Sequence, residues 1–394
     1  MSEPPITDKK RLRILLGYPY FSATAYGDAE QSMLAFAARM RAIGFDVDTF
    51  CLTLNAPGPC LTFPALDDRW RRGDRELLGM YERLEQRLES CDVLINWSGI
   101  NLHPRFVEQL EVFTVFQCFD DPESSEALSR PVASAYDLCL VGNVAEVESY
   151  HSWGAKAAEW IPMGLSSEIY DPTLTAEQIL TGTRDIDLLM MVDRTYPLRT
   201  ARLDRLAEAF PGGMFFGKGW PRGFLSNDDQ LQLLRRTKIG PNIHNSTGPI
   251  NYRTFYLPAN GVMQICDNKS HLGQIFELGR EVVGFDSIVE CIDLCRYYIA
   301  HDRERREIAG AGWKRVTTDY TEEAVFRRRV ALIQRYRGKP STARCGAASS
   351  IAHRHFESTR AVRRKSEALA AVRQPLAGSV QSLKNTVKRI IGRP

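Results

Sequence analysis

The chain has no apolar run near the ~20 residues that a membrane-spanning helix needs. Its first stretch, Met1–Arg13, is polar and charged, without the apolar core of a secretory signal. Its nine cysteines stand singly between Cys51 and Cys345, odd in number and with no CxxC spacing, so neither a disulfide framework nor a zinc site is indicated. Cys118, Cys139 and Cys266 fall inside apolar runs, where a reduced thiol packs as a small hydrophobe. These absences point to a reducing, cytoplasmic setting. No metal constellation stands out: the histidines are dispersed, and Asp120-Asp121 has no third carboxylate beside it, so no metal or other cofactor is expected. The first strand-to-helix connection, Pro19–Asp28 (PYFSATAYGD), is not GxGxxG, which disfavours a nicotinamide-dependent dehydrogenase.

What is present is a chain of 394 residues, too long for one hydrophobic core, so two domains are expected. Hydrophobic residues make up 44% and charged residues 25%, the balance of a soluble globular protein. The net charge of +3 conceals an asymmetry: from Arg337 onward thirteen Lys/Arg face two Asp/Glu, a surplus of 11 that leaves −8 on the rest. A basic tail on an acidic body suggests an anionic surface as partner. Val380, Leu383, Val387 and Ile390 fall on one helical face beside Lys384, Lys388 and Arg389, so peripheral contact with an anionic membrane is one expectation. A solvated tail that starts as a flexible linker, Lys339–Ser350, is the other. Nucleic acid is not expected as a partner, because no aromatics are interleaved with the basic residues.

Short apolar runs alternate with helical patterns. Strands are expected at Arg11–Tyr18, Phe45–Leu52, Asp92–Trp97, Val112–Phe119, Leu138–Val141 and Glu159–Pro162, with a helix at Glu30–Ile43 that Gly44 ends. Glu168–Arg184 reads as a polar linker. The alternation then restarts, with strands at Asp187–Val192, Met214–Phe216, Ile239–Ile243, Val262–Cys266 and Glu281–Phe285 and a helix at Leu198–Phe210. Helices at Ile288–Ala300, Asp302–Asp319 and Thr321–Tyr336 close the body. The expected class is α/β: two Rossmann-like, doubly wound domains facing across a cleft, residues 1–170 and 171–336, followed by a basic tail, 337–394. In such sheets ligands bind beyond the carboxyl ends of the strands. No internal repeat marks the halves as duplicates.

Those strand ends carry the candidate residues. In the first half, the long loop Pro19–Asp28, with Gly27, either lines an acceptor site or is an ordinary connection. His103 follows the third strand, and Asp120 and Asp121 follow the fourth; any of the three is a candidate to take a proton from an acceptor hydroxyl. Asp121-Pro122 also fits a turn and helix start. The second half is rich in cations near strand ends: Arg194 and Arg199, Lys218 beside Gly219 in FGKGW, Lys238 in TKIGPNIH, and Arg253 in NYRTF. A diphosphate needs such charge, together with backbone N–H donors that glycines and helix starts bring close. Each cation alone reads as an ordinary solvated side chain; their shared location is the signal.

Longer stretches add a resemblance. FGKGW at 216–220, TKIGPNIH at 237–244, NYRTFYLPANGVMQICD at 251–267, LGQIFELGREVVGFDS at 272–287 and RYYIAHDRERREIAGAGWKRV at 296–316 follow one another in matching order and spacing. Over about Asp187–Arg335 the sequence resembles the C-terminal half of CgeB-like (spore-maturation-protein) glycosyltransferases, relatives of the large retaining group with the GT-B fold. VFQCFDDPES at 115–124 and WIPMGLSSEIYDP at 160–172 extend the likeness more loosely into the first half. The resemblance implies a nucleoside diphosphate sugar donor held by the second domain and a carbohydrate, lipid-linked or protein acceptor at the first. It carries the family's diphosphate cations to Lys218, Lys238 and Arg253, within motifs that include Asn242, and its G-x-E acid to Glu281, with Glu277 less closely matched. One departure stands out: relatives carry a ribose-binding glutamate where this chain has Tyr256, and a phenol supplies no charge for a bidentate grip on two hydroxyls.

The implied function is transfer of a sugar to an acceptor hydroxyl, without metal and with retention after the wider relatives. The alternatives are a non-catalytic sugar-nucleotide-binding or scaffold protein on a degenerate fold, for which Tyr256 speaks, and a sugar-nucleotide epimerase of the same architecture.

Overall fold

A computed structural model of the chain describes residues 11–19, 29–54, 62–97, 101–248, 251–337, 350–362 and 364–365. The loop 20–28 and the stretch 380–390 singled out above lie outside them. In the first half the strands are β1 Arg13–Tyr18, β2 Asp46–Cys51, β3 Val93–Trp97, β4 Phe113–Cys118, β5 Leu138–Val141 and β6 Ala158–Trp160. The second half has β7 Ile186–Met191, β8 Met214–Phe216, β9 Thr237–Asn242, β10 Met263–Cys266 and β11 Val283–Gly284. Helices α1 Ala29–Ala42, α2 Phe63–Arg72, α3 Arg75–Leu88, α4 Pro104–Val107 and α5 Val147–Ser152 accompany the first sheet. With the second come α6 Ala176–Thr181, α7 Pro197–Ala209, α8 Asn227–Arg236, α9 Arg253–Ala259, α10 Lys269–Leu272, α11 Ile288–Ala300 and α12 Asp302–Asp319. α13 is Glu322–Arg337. Each expected strand is present, displaced by at most two residues at either end.

Both sheets are parallel, ordered β2-β1-β3-β4-β5-β6 and β8-β7-β9-β10-β11. The first five strands of each half therefore share one topology, although their sequences show no repeat. Strands covered on both faces read as largely apolar runs, as β1, β3, β4 and β5 do. In β1, Ile14 and Leu16 enter one core layer and Leu15 the other; β3 repeats this with Val93 and Ile95 against Leu94. In β7, Leu188 and Met190 face one layer while Leu189 faces the opposite one.

Three segments depart from the sequence reading. The polar linker contains α6, whose Thr175 and Gln178 cap each other's backbone N–H groups. α13 packs on the first domain instead of the second. Its Phe326 meets Phe36 and Phe45 edge-on at 5.7 and 4.9 Å, Glu322 pairs with Arg39 at 2.8 Å, and Tyr336 bonds Glu159. The tail returns as a helix over 351–362, with Ile351 and Ala352 buried against α3 and its neighbours. Glu85 caps that helix, accepting from Ser350 Oγ and from the N–H groups of Ile351 and Ala352 at 2.6, 2.7 and 3.2 Å. His355 stacks on Trp70 at 3.6 Å. This part of the expected flexible tail is docked.

Candidate functional site

The carboxyl ends of β7, β9 and β10 converge on one polar cluster. Asn242 closes β9 fully buried. Its Oδ1 accepts from Arg253 Nε and Asn251 Nδ2, each at 3.0 Å, and its amide donates to Gln264 Oε1 at 2.8 Å. Because Asn242 is level with Cys266 in the β9–β10 register, the residues just beyond, His244 and Asp267, also meet. Asp267 accepts from His244 N at 3.0 Å and pairs with His244 Nδ1 at 2.7 Å; a carboxylate only accepts, so Nδ1 carries the proton. His244 Nε2 is buried without a partner. Burial, with Arg253 and Arg199 nearby, lowers the pKa of His244 despite Asp267.

α7 delivers two arginines one turn apart over this edge. Arg202 reaches Asp267 at 3.4 Å and donates to His244 O at 3.1 Å. Arg199 donates to Asp193 O at 2.7 Å, while its Nε is buried without a partner. Burial first, and Arg253 second, lower its pKa to about 10. The start of the 13-residue α7 lies beside them, adding its own partial positive charge. His244, Cys266 and Asp267 also bring metal-ligand atoms within 4.8 Å of one another. They fit a cation poorly: burial holds the thiol protonated, Asp267 is engaged by Arg202 and His244, and Arg199 and Arg253 stand alongside. The cluster is suited to an anion.

Not every expected residue joins it. Lys238 opens β9 and pairs with Asp187 at 2.5 Å, at the opposite edge of the sheet, roughly 13 Å from Asn242 at the ordinary strand rise. Glu281 precedes β11 and is level with the start of β10; Arg315 holds it at 2.9 Å, also away from the cluster. A motif names residues without saying which end of a strand they occupy. Arg194 lies at the right edge but braces the neighbouring loop: it pairs with Asp204 at 2.5 Å, donates to Gly219 O at 3.2 Å and stacks on Trp220. Gly217 and Gly219, at φ of 121° and 86°, let that loop turn against β7, and a Cβ on Gly217 would lie 2.6 Å from Val192 O. Lys218 is exposed in the loop, with its N–H bonded to Asp193 at 2.8 Å. Tyr256 is only 6% exposed, within the core, and burial lifts its pKa to about 12. Its hydroxyl has no hydrogen-bond partner among the described residues.

At the facing edge, of the first sheet, the three acid–base candidates separate. Asp121 is 1% exposed and accepts from Ser125, Ser129 and Tyr150 hydroxyls at 3.1, 2.7 and 2.5 Å, so it knits the π-helical turn Ser125–Ser129 to α5. His103 caps α4, lies between Trp70 and Phe63 and meets Asp67 at 3.3 Å, covered by α2. Both are engaged within the protein. Asp120 turns outward, and its enclosure by surrounding protein, with Asp121 and Glu123 adding negative charge, raises its pKa. The edges do face each other: Tyr252 of the second domain feels Asp120, and a Cβ on Gly248 would fall 1.9 Å from Asn143 Oδ1.

His244, Asp267 and Arg202 escaped the sequence reading. The first two stand at the ends of the quoted stretches TKIGPNIH and NYRTFYLPANGVMQICD, and attention to adjacent strand ends would have paired them. Arg202 sits mid-helix and had no such signal.

Comparison with known proteins bears on the fold and on the second half of the chain. Residues 199–331, the cationic half, match the family model described as Glycosyl transferase-like. No curated protein matches the sequence. Among solved structures, HepE from Anabaena, in complex with UDP, aligns with TM-score 0.54 at 11% identity, over 82% of this chain and 100% of its own. Sucrose-phosphate synthase from Thermosynechococcus elongatus gives 0.55 at 12%, over 82% and 99%. A glycosyltransferase from Rickettsia africae gives 0.52 at 12%, over 84% and 100%. Identities this low establish the fold alone: the chain has the two-domain GT-B architecture, with a glycosyltransferase-like second domain.

Proposed function

We propose that the protein transfers a sugar from a nucleoside diphosphate sugar to an acceptor hydroxyl, in the manner of CgeB-like glycosyltransferases and with retention of configuration. The observation that carries this is the convergence of Arg199, Arg253 and His244 Nε2 at one strand edge beside the start of α7. Fixed cations and helix N–H groups there stabilise the charge that grows on a departing diphosphate, without a metal. Lys218 is near enough in sequence and edge to add to them. Asp120, across the cleft, orients the acceptor hydroxyl, and its raised pKa suits it to hold a proton. The acceptor is a glycan, a lipid-linked sugar or a protein, and the basic tail would bring the enzyme to an anionic membrane face in the cytoplasm.

A thermal-shift screen with UDP, GDP, dTDP and CDP tests the donor site. One nucleotide family should raise the melting temperature, and Arg253→Ala should remove that shift. No response to any nucleotide would overturn the reading.

Tyr256 favours a second reading, binding without turnover. Its buried phenol cannot reach two ribose hydroxyls from within the core. A donor that binds yet is neither hydrolysed nor transferred to any offered acceptor would establish that alternative.

A further inference from the structure

Among the described residues four arginines are more than nine-tenths buried: Arg184, Arg199, Arg305 and Arg329. Three have evident occupations. Arg184 donates to the carbonyls of Leu234, Thr237 and Asn260 at 2.8, 2.6 and 2.8 Å, tying α8, β9 and the end of α9 together. Arg305 pairs with Asp302. Arg199 borders the anion cluster already described.

Arg329, on α13, differs. It is 2% exposed, and only its Nε is engaged, donating to Gln117 Oε1 at 2.7 Å. No carboxylate of the described residues pairs with it, and its two terminal nitrogens make no hydrogen bond to them. The guanidinium stacks over Trp97 at 4.8 Å and Phe326 at 5.5 Å, which fixes its plane but does not balance its charge. Burial pulls its pKa down to about 9. A buried cation with no counter-ion among the described residues is costly to keep, by several kcal/mol where none is supplied, so a site that preserves one has a use for it.

Its location indicates that use. Gln117 is one residue from the carboxyl end of β4, and Trp97 is the last residue of β3. Arg329 is therefore at the cleft edge of the first sheet, on the side opposite the donor cations. Tyr252, 47% exposed, is the second-domain residue within its electrostatic reach. The acids around Tyr252 are Glu168, Glu322 and Asp120; Glu322 is already held by Arg39, and none bonds Arg329.

We propose that Arg329 anchors an anion subsite for the acceptor, whose substrate therefore carries a carboxylate or phosphate group that pairs with its two terminal guanidinium nitrogens. Tyr252 offers the exposed ring against which the attached sugar packs. This inference rests on the glycosyltransferase reading of the cleft.

Isothermal titration of the full chain, saturated with UDP, tests it with glucose, glucuronate, glucose 6-phosphate and inorganic phosphate. A charge-assisted pair of hydrogen bonds should make glucuronate or glucose 6-phosphate bind about 10-fold or more tighter than glucose. Which charged sugar prevails identifies the anion as carboxylate or phosphate. Arg329→Met should erase the preference and leave UDP affinity unchanged; Arg329→Lys should keep part of it. If Arg329→Met fails to fold, the partial loss in Arg329→Lys decides. Equal binding of glucose and its charged derivatives, or a preference untouched by either substitution, overturns the proposal. So does inorganic phosphate binding as tightly as glucose 6-phosphate, since the sugar then contributes nothing. Failure of UDP to bind the unmodified chain would instead sink the donor-site reading, so the two failures are distinct.

Discussion

The two sheets share the order of their first five strands, yet their carboxyl edges have opposite chemistry. At the second sheet Arg199, Arg202, Arg253 and His244 gather around Asn242 and Asp267, with charge left over for a ligand. At the first sheet Asp121 is saturated by three hydroxyls and His103 is closed under α2, whereas Asp120 and Arg329 have no ion-pair partner among the described residues. One topology thus supplies two edges, and what separates scaffold from site is whether a polar group's bonds are already met inside the protein. Arg184 and Arg253 differ in reach within one domain: Arg184 makes short bonds of 2.6–2.8 Å to three carbonyls, whereas the terminal nitrogens of Arg253 meet Met191 O and Ile243 O at only 3.4 and 3.5 Å.

That comparison can be broken in graded ways. The largest effect is expected from Arg184→Met, which orphans three buried carbonyls; stability should fall by about 3–5 kcal/mol in chemical denaturation. Next, Arg253→Ala should weaken the responding nucleotide by about 100-fold, roughly 2–3 kcal/mol, in titration calorimetry. Lys238→Ala, at the far edge, should leave that affinity unchanged; equal losses in both would collapse the distinction between edges. Asp121→Asn should lower stability by about 1–3 kcal/mol while nucleotide affinity persists, since its role is to accept hydroxyls. Loss of transfer at full stability would restore Asp121 as a catalytic group.

The smallest effect is a pH dependence. The folded protein holds His244 with a lowered pKa, so the unfolded chain takes up this proton first as pH falls. The stability it contributes is present above the ordinary value of 6.5 and is lost as pH drops from there toward the lowered folded value. Replacing His244 with Gln should flatten that part of the acid limb in melting curves. An unchanged acid limb would show that His244 is not buried as a neutral ring.

Much of this fold is legible in the amino-acid order. Leu15, Leu94 and Leu188 sit in apolar runs whose alternate residues face two covered layers, a pattern that only a sandwiched parallel strand requires. α13 and the helix over 351–362 are not assignable that way, because an amphipathic helix declares that it has a partner without naming which domain. The site is legible in part for a related reason. Arg253 and Asn242 stand in quoted stretches and do meet, while Lys238, equally prominent, stands at the wrong end of the same strand.

What the sequence by itself determined was local: where apolar runs give way to helical spacing, and which loops carry cations. Only the tertiary structure decided which charges are neutralised. Asp267 meets His244 and Arg202 through strand register and helix placement, and Arg329 meets Gln117 across 212 positions of chain. Burial and long-range pairing set the free energy of a charge, and neither is a property of its neighbours in sequence.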